Sequence, residues 1–509
     1  MRSMNEPARA IKHQALFDEF AEILAFVQTA YQQGRTAHEV ECGLWQRMLR
    51  LGRSVYQAWL DLFGDGDAGE RIVLEDGREV RRLGDLHRRE IRNLFGLFEL
   101  IRVVYGSREG QKIEAVPLDE RLQLPPGKSS YLLQDWDQDL VVDMPFETVS
   151  TTLARMLGFT QSVHTLERDQ REMATAVEDF WAAQPAPPLQ QEGEILVCTA
   201  DGKGVPMRGG AKAPKGVAPP STGEKRAGTK KMALLGATYT VAPFMRTPDE
   251  VLEALFQDTA DAEPPPSRPR PCFKYVRAAL QRDAMDATAP QVQTIFAWMA
   301  EQVAQRNPAG KNPVVLLMDG QDSLWKAGWD YLPEELADVT EILDLLHALG
   351  YLWEAAHLFH PNGSKAARAF VKDQARRILH GEVAAVIHSL RWLATHHQLK
   401  GKRRETLERI CGYFHNNAQR MAYDVYLEHG FPIASGVIEG ACRCVVKDRM
   451  ERSGMRWVMS GARAMLDMRC IYLSNLWEEF TAFRIQHESQ RLYSGYAAND
   501  PDFSMPLAA

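Results

Sequence analysis

Two apolar segments of the sequence each end on an aspartate that is followed by glycine. Residues 195–200 lead into Asp201, and residues 313–318 lead into Asp319. Short apolar runs of this kind indicate buried strands, and a strand end can hold a carboxylate at the edge of a cleft. Because Mg²⁺ prefers carboxylate oxygens as ligands, the pair predicts a site for divalent cations. An isolated Asp-Gly pair is more often a simple turn, and a second such strand weakens that alternative without removing it.

A third acid, Glu439, precedes a helical run that is rich in basic residues. Phosphoryl transfer on a nucleic acid uses two divalent cations about 3.5–4 Å apart, one for the attacking oxygen and one for the leaving oxygen. We predict that Asp201 and Asp319 bind these two ions, since two or three acids suffice as ligands. Mg²⁺ is the expected metal, and Mn²⁺ is expected to substitute for it.

Basic residues near these acids predict contacts with a phosphate backbone. Arg443 and Lys447 follow Glu439 at four-residue spacing, which would place all three on one face of a helix. A solvated surface is the alternative for such charges. Residues 208–231 are rich in Gly, Pro, Lys and Arg and predict a flexible basic loop that contacts DNA nonspecifically. The predicted DNA-binding residues are Lys203, Arg443, Lys447, Arg449, Arg452 and Arg456.

Other side chains in the same part of the chain allow two interpretations. His347 is predicted either to act in catalysis, by a hydrogen bond to the scissile phosphate, or to hold the end of a strand. Trp325, Trp329 and Trp353 have the chemistry to stack on an unpaired base, but packing in the core is the favoured interpretation for them.

The surrounding elements follow from periodicity and punctuation. Residues 14–62 have the apolar spacing of amphipathic helices, and residues 71–80 place a turn dipeptide between two short β-rich runs. Residues 146–174 give a helical run, a glycine, and then Thr160 or Ser162 as the cap of a second helix. This pattern suits a DNA-binding helix-turn-helix, with two ordinary packed helices as the alternative.

The patterns predict an α/β fold in which an all-helical insertion interrupts the catalytic core and a mainly helical, α+β region precedes it. The predicted regions are an N-terminal α+β region (1–115), a helix-turn-helix region (116–184), the first part of the core (194–350), the insertion (351–426), the final helical part of the core (427–482) and a loosely attached tail (483–509).

Composition excludes several classes of protein. The 509 residues are 45% hydrophobic and 25% charged, as in globular chains, and the net charge of −7 means that any DNA contact must rest on local basic patches. The seven cysteines include no CxxC pair, which disfavours a disulfide framework or a zinc ribbon. The sequence also lacks an apolar signal segment or a bilayer-spanning run. We therefore expect a cytoplasmic, nucleoid-associated protein with no membrane contact.

Several stretches occur together in a distinctive order. They are Asp-Gly-Lys-Gly-Val-Pro-Met at 201–207, Met-Asp-Gly at 318–320, Asp-Leu-Leu-His at 344–347, Ser-Gly-Val-Ile-Glu-Gly at 435–440, and Lys-Asp-Arg-Met-Glu-Arg-Ser-Gly-Met-Arg-Trp at 447–457. In this order the chain resembles, over about residues 115 to 480, transposases of the ISKra family of bacterial insertion sequences.

The resemblance implies an RNase H-like catalytic core with a DDE triad at Asp201, Asp319 and Glu439. It also implies a helical insertion before the glutamate and a link to the Mutator-like superfamily, whose Asp/Cys-x-x-His motif Asp344 and His347 match. The implied activity is metal-dependent cleavage of double-stranded DNA at the element's ends and transfer of the 3′ end into target DNA, by a homodimer or higher oligomer.

Two other functions remain open on the sequence. One is a structure-selective nuclease with the same metal site, and the other is a non-catalytic DNA-binding regulator derived from a transposase. The chain also departs from its resemblance, because relatives often carry a cysteine-bearing zinc motif before the Pro-Leu-Asp-Glu stretch at 117–120. No cysteine lies near that stretch here, so we do not expect zinc there.

Overall fold

The computed structural model describes residues 13–74, 76–108, 113–208, 230–256, 268–281, 290–332 and 338–493. It divides into two compact units, Met1–Phe180 with Glu478–Ala509, and Trp181–Trp477. The predicted basic loop at 208–231 lies outside the described residues except at its ends, and so does the tail beyond residue 493. None of the helices in the described ranges combines the length and the apolar character needed to cross a membrane.

The first unit is α+β, as its sequence predicts. Strand β2 pairs with β1 and with β5, both antiparallel, and β3 and β4 form a separate hairpin. The β1–β2 pair confirms the predicted turn at 71–80. The elements of the first unit are α1 (His13–Gln32), α2 (Ala37–Asp61), β1 (Arg71–Val73), β2 (Glu79–Arg82), β3 (His87–Asn93), β4 (Gly96–Arg102), β5 (Tyr105–Gly106), α3 (Pro117–Arg121), α4 (Tyr131–Asp143), α5 (Phe146–Leu157), α6 (Val163–Ala174) and α7 (Val177–Ala183), whose last residues belong to the second unit.

The predicted helix-turn-helix segment contains two helices with the expected ends. Helix α5 ends at Gly158, whose φ of 76° lies in the left-handed region that glycine tolerates best. Helix α6 begins after Ser162, whose hydroxyl accepts a hydrogen bond from the Thr165 amide. Arg168 of α6 forms ion pairs with Asp169 and Glu172, so part of its basic charge is compensated. DNA binding by this segment stays a prediction.

The second unit is built on a five-stranded mixed sheet with the order β10-β9-β6-β7-β8. Strands β7 and β8 continue antiparallel from β6, whereas β9 and β10 run parallel to it. Helix α9 packs on β7 and β8, and α18 packs on β8. The elements are β6 (Ile195–Pro206), β7 (Lys230–Val241), α8 (Pro248–Phe256), β8 (Cys272–Leu280), α9 (Pro290–Arg306), β9 (Val314–Met318), α10 (Asp322–Tyr331), β10 (Val339–Leu343), α11 (Leu345–Phe359), α12 (Lys365–Leu379), α13 (Val383–His396), α14 (Gly401–Asn417), α15 (Tyr423–Glu428), α16 (Gly436–Ala441), α17 (Asp448–Met450) and α18 (Met459–Leu473).

The sequence predicts that strand β6 ends at Asp201, but in the structure the strand continues to Pro206. The reason is its antiparallel partner β7, which pairs with it residue by residue from Ile195 to Pro206. Asp201-Gly202 is therefore part of a strand, and the alternative of a simple turn is excluded at this position. Only the parallel ladder with β9 stops early, at Thr199.

Several predicted region boundaries fall inside helices. Helices α11 to α15 fill residues 345–428, which agrees with the helical periodicity of that segment, but α11 crosses the boundary predicted at 350. The last helix, α19 (Trp477–Leu492), crosses the one predicted at 482. Its Arg484 and Glu488 are buried and hydrogen-bonded to each other, so residues 483–492 are not the loosely attached tail that we predicted.

The close approach of α9 to β7 makes Gly236 a sensitive position. A Cβ atom there would lie 2.5 Å from Ile295 Cγ2 and 2.7 Å from Met299 Cε, and both side chains are fully buried. Gly236→Ala should therefore lower the free energy of unfolding by about 1–3 kcal/mol through overpacking. Chemical denaturation measures this change. Gly412→Ala, in α14 with nothing within 4 Å of its Cβ, is the matched control and should not destabilise. Equal stability of the two variants would contradict the packing.

Buried carboxylates in the first unit predict a pH dependence of its stability. Burial, together with the negative charge of Asp169, raises the pKa of Asp137 well above its ordinary value. The folded chain then holds a proton that the unfolded chain has released, so stability should fall as pH rises from about 4 through the raised pKa. Asp137→Asn should remove that fall, whereas Asp143→Asn, at the exposed end of α4, should keep it. Urea denaturation at several pH values measures both, and a wild-type slope in Asp137→Asn would refute the assignment.

Candidate metal and DNA site

Three aspartates lie close to the point where the parallel pairing in the sheet stops. The register pairs Thr199 with Leu317, and continuing it by two residues places Asp201 beside Asp319. Leu343 pairs with Met318, which brings Asp344 next to Asp319 on the other side. Neighbouring strands lie about 4.8 Å apart, so three carboxylates share one edge of the sheet.

Asp319 is the central member of this row, and its surroundings disfavour its charge. Burial raises its pKa, and the negative charges of Asp201 and Asp344 raise it further. The Gln321 amide, which donates to Asp319 Oδ1 at 3.0 Å, and His347 act in the opposite direction without cancelling the shift. A cation bound between these carboxylates would relieve the repulsion.

Asp344 has a different environment, in which its own hydrogen bonds favour the charged form. Oδ1 accepts from the amides of Leu346 and Ser435 at 3.0 and 3.1 Å. Oδ2 accepts from the Ser435 hydroxyl at 2.6 Å and contacts His347 Nδ1 at 2.8 Å. Burial by itself raises the pKa of Asp344, but these hydrogen bonds bring it below the ordinary value. Asp344 thus caps α11 and ties it to the segment before α16.

His347 is positioned by this carboxylate. The hydrogen bond to Asp344 raises the pKa of His347 despite partial burial, and the charges of Asp319 and Asp201 raise it further. About two fifths of the imidazole is exposed, so the ring remains accessible to a ligand. Of the two predicted roles, the strand-end contact is present in the structure, and the contact with a phosphate stays a prediction.

Glu439 reaches the same area from the first turn of α16, where its side chain is exposed. Ligand atoms of Asp344, His347 and Glu439 all lie within 4.8 Å of one another. This group shares Glu439 with the predicted triad but replaces the other two members.

Cys442 is hydrogen-bonded to Asp201, lies three residues after Glu439, and was not identified from the sequence. Its thiol donates to Asp201 Oδ2 at 3.3 Å. Burial raises the pKa of Cys442, and the charges of Asp201 and Glu439 raise it further, so the thiol keeps its proton as a donor. Spacing alone carries no sign of this contact, because 241 residues separate Cys442 from Asp201.

The donor set suits a hard cation. Carboxylate oxygens from Asp201, Asp319 and Glu439 match the ligand preference of Mg²⁺, which needs only a few carboxylates because it keeps several waters. Both Asp344 oxygens are already engaged by protein donors, so Asp344 fits the role of an outer group that orients His347.

Tyrosines from the helical segment 345–428 hold the ends of two of these strands. The Tyr413 hydroxyl donates to the carbonyl of Asp319 at 2.7 Å, and that of Tyr423 donates to Leu343 at 2.9 Å. Gly320 has a φ of 95°, and a Cβ there would lie 2.9 Å from the Tyr413 ring. Glycine at this position thus serves the turn and the tyrosine contact.

A cavity of about 300 Å³ opens beside Glu439. Its wall includes Tyr351, which stacks on Tyr413 with ring centroids 4.0 Å apart, and Arg409, which pairs with Glu354 at 2.5 Å. The cavity lies between the helical segment and the side chains of His347 and Glu439, so a ligand there would contact both.

Four of the six predicted DNA-binding residues are exposed. Arg443, Lys447, Arg452 and Arg456 are exposed, and Lys203 is half-buried. The prediction that Arg449 contacts DNA is wrong. This side chain is completely buried, with its guanidinium 5.4 Å from the centre of the Trp457 ring. The hydrophobic side chains that follow in sequence fold back over this arginine.

Helix geometry around these residues also departs from the prediction. Cys442–Lys447 forms a π-helical turn, so the four-residue spacing of Glu439, Arg443 and Lys447 does not follow α-helical geometry. Arg443 makes an ion pair of 3.5 Å with Asp448. The three side chains are nevertheless all exposed.

The tryptophans have different environments. Trp325 is buried and packs against the Arg420 guanidinium, as the core interpretation predicts. Trp329 is exposed, and its indole nitrogen donates to Glu341. Trp353 is half-buried beside His357.

Comparisons of this chain with protein families, curated proteins and solved structures give one structural alignment of low similarity. No protein-family model and no curated protein matches the chain. Among solved structures, the Drosophila P element transposase strand transfer complex aligns with a TM-score of 0.25 at 10% identity, over 71% of this chain and 81% of that one. A TM-score and an identity this low do not establish a shared fold or function.

The contact between Asp344 and His347 gives a test of the site. In Asp344→Asn the new amide should donate to His347 Nδ1, which can accept only when the ring is neutral. The pKa of His347 should therefore fall, and NMR titration of the metal-free protein measures it. Asp338→Asn, which changes an exposed acid just before β10, is the control and should leave the titration in place. An unchanged His347 titration in Asp344→Asn would show that the contact does not form.

Proposed function

We propose that the chain is a DNA transposase with an RNase H-like core and a DDE triad of Asp201, Asp319 and Glu439. The observation that carries the proposal is the strand register, which when continued sets Asp201 beside Asp319. The thiol of Cys442, three residues after Glu439, donates to Asp201 Oδ2 at 3.3 Å and so brings the start of this helical segment to the same place. The mixed sheet, with three antiparallel strands followed by two parallel ones, is compatible with such a core.

Each proposed residue has a distinct task. Asp201, Asp319 and Glu439 would hold two Mg²⁺ ions, or Mn²⁺ in their place. Bound there, the metal pair would activate the attacking oxygen and stabilise the leaving oxygen of the scissile phosphate. Cys442 would keep the Asp201 carboxylate in place through its thiol hydrogen. His347, oriented by Asp344 and with a raised pKa, would donate a hydrogen bond to a phosphate oxygen.

The exposed cations would position the DNA. Near the proposed metal ligands in the sequence lie five of these cations: Lys203 follows Asp201, and the others follow Glu439, namely Arg443, Lys447, Arg452 and Arg456. Contacts to phosphates fix the register of a duplex without selecting its sequence. The substrates would be the element's ends and a target duplex, bound by a homodimer or higher oligomer in the cytoplasm, on the nucleoid. The helix pair α5–α6 would supply end recognition.

The alternatives differ in what they make from the same substrate. A structure-selective nuclease would cleave at this site without joining strands, and a regulator would bind without cleaving. Joining a labelled 3′ end to a second duplex in the presence of Mg²⁺ distinguishes all three.

Two substitutions should separate metal chemistry from DNA binding. Asp319→Asn should abolish cleavage and joining, because a neutral amide cannot compensate the charge of two cations, yet it should leave end binding intact or slightly tighter. Lys447→Ala should instead weaken binding and reduce the slope of log K against log salt by about one unit. Gel-shift salt titrations beside a Mg²⁺-dependent cleavage assay on the same end duplex measure both effects.

Matched controls make the outcome clear. Asp322→Asn changes an exposed acid three residues from Asp319, and Lys311→Ala removes an exposed cation from the segment before β9. Both controls should behave as the wild type. Cleavage by Asp319→Asn at the wild-type rate would overturn the triad, and an unchanged salt slope in Lys447→Ala would remove that residue from the DNA surface.

A further inference from the structure

We propose that one end of the helical group α11 to α14 binds the phosphate backbone of duplex DNA, as a second contact surface apart from the cations that follow Glu439. This surface, the basic end, consists of the ends of α11 and α13, the starts of α12 and α14, and the loops between them, which cover residues 357–368 and 394–404. The choice of DNA as the ligand rests on the proposed function, whereas the charge of the surface does not.

Helices α11 to α14 pack as an antiparallel bundle, in which α11 and α13 each contact both α12 and α14. Side chains join their ends on one surface. The centroid of the Phe359 ring lies 5.4 Å from that of His397 and 5.9 Å from that of Phe370, and Arg403 donates to the Leu358 carbonyl. The end of α11 therefore touches the other three helices, and the basic end is continuous.

The basic end carries positive charge without an acidic residue. Its two segments contain six lysines and arginines and four histidines, but no aspartate or glutamate, in a chain whose net charge is −7. The six cations are Lys365, Arg368, Lys400, Lys402, Arg403 and Arg404. Arg404 pairs with Glu408 in the next turn of α14. The three lysines are exposed, and among the described residues no ion pair neutralises them, so their charge is available to a ligand.

The cations of α14 lie where they disfavour the helix. Lys402, Arg403 and Arg404 are in its first turn, which contains no acid, and the cap residue Lys400 makes no side-chain hydrogen bond to the helix. The partial positive charge of a helix N-terminus favours acids there and disfavours cations. Helix stability therefore does not explain these residues. A phosphate bound beside them would pair with the side chains and with the first amide groups, which have no partner within the helix.

One face of α14 connects the basic end to the acids. Lys402, Arg409 and Tyr413 follow one another at seven and four residues, which places them on one side of the helix. Tyr413 donates to the carbonyl of Asp319, and Arg409 borders the cavity beside Glu439. From Lys402 to Tyr413 the helix rises by about 16 Å, the length of about five base pairs. A duplex along this face can therefore contact the acids and the basic end at once.

Salt titrations of DNA binding in the absence of divalent metal test the proposal. The probe is a duplex of about 30 base pairs with an arbitrary sequence, because backbone contacts do not select sequence. Lys400→Glu with Lys402→Glu should reduce the slope of log K against log salt by about two units and weaken binding about 50-fold at about 0.1 M salt, since each lost phosphate contact contributes about 0.9 to the slope. Lys365→Glu, on α12, should reduce the slope by about one unit.

The matched control is Lys274→Glu with Lys311→Glu, which changes the net charge by the same amount. Both lysines are exposed. They lie at the end of the sheet opposite the acids, since Lys311 precedes β9 and Lys274 is at the start of β8, which pairs with the end of β7. This control pair should keep the salt slope of the wild type.

Thermal unfolding separates lost contacts from lost structure. Glutamates suit the first turn of α14, so Lys400→Glu with Lys402→Glu should have a Tm equal to or above that of the wild type. If its Tm falls instead, Lys365→Glu decides the outcome from a different helix. An unchanged salt slope in these variants, or an equal loss in the control pair, would overturn the proposal and leave the lysines as an ordinary solvated surface. The assay involves no cleavage, so a failure of the proposed enzymatic function is a separate result.

Discussion

The parallel pairing of β9 with β6 on one side and β10 on the other is the constraint on which the candidate site depends. It places Asp201, Asp319 and Asp344 in a row, although more than 140 residues separate the first from the last. A shift of one residue in either register would move an aspartate to the opposite face of the sheet. The buried apolar side chains of β9 fix this register, so the hydrophobic core determines where the acids lie.

The pKa values of two neighbouring acids in this row shift in opposite directions. Asp344 is stabilised as a carboxylate by protein donors, whereas the pKa of Asp319 is raised by burial and by its neighbours. Protein donors thus stabilise the charged form of Asp344, whereas the charged form of Asp319 would be stabilised by a nearby positive charge. Structural carboxylates are commonly satisfied by the protein itself, so this difference distinguishes a residue that orients the site from one suited to bind a cation.

The sequence predicted those features of the site that depend on neighbouring residues along the chain, such as an apolar strand and the acid that follows it. Apolar runs identified β9 and the first half of β6, and the position of Asp319 at a strand end followed from them. Strand β8 was missed because Lys274 and Arg277 interrupt its apolar pattern, and the length of β6 was missed because it depends on the partner strand β7. The burial of Arg449 and the contact of Cys442 with Asp201 arise from tertiary packing, which spacing along the chain does not encode.

The Tyr413 hydrogen bond has a mechanical consequence. Because its hydroxyl binds the carbonyl of Asp319 itself, and its ring packs where Gly320 has no side chain, the Tyr413 side chain connects α14 to the backbone of the central acid. The position of the Asp319 carboxylate therefore depends on packing of the helical segment as well as on pairing in the sheet.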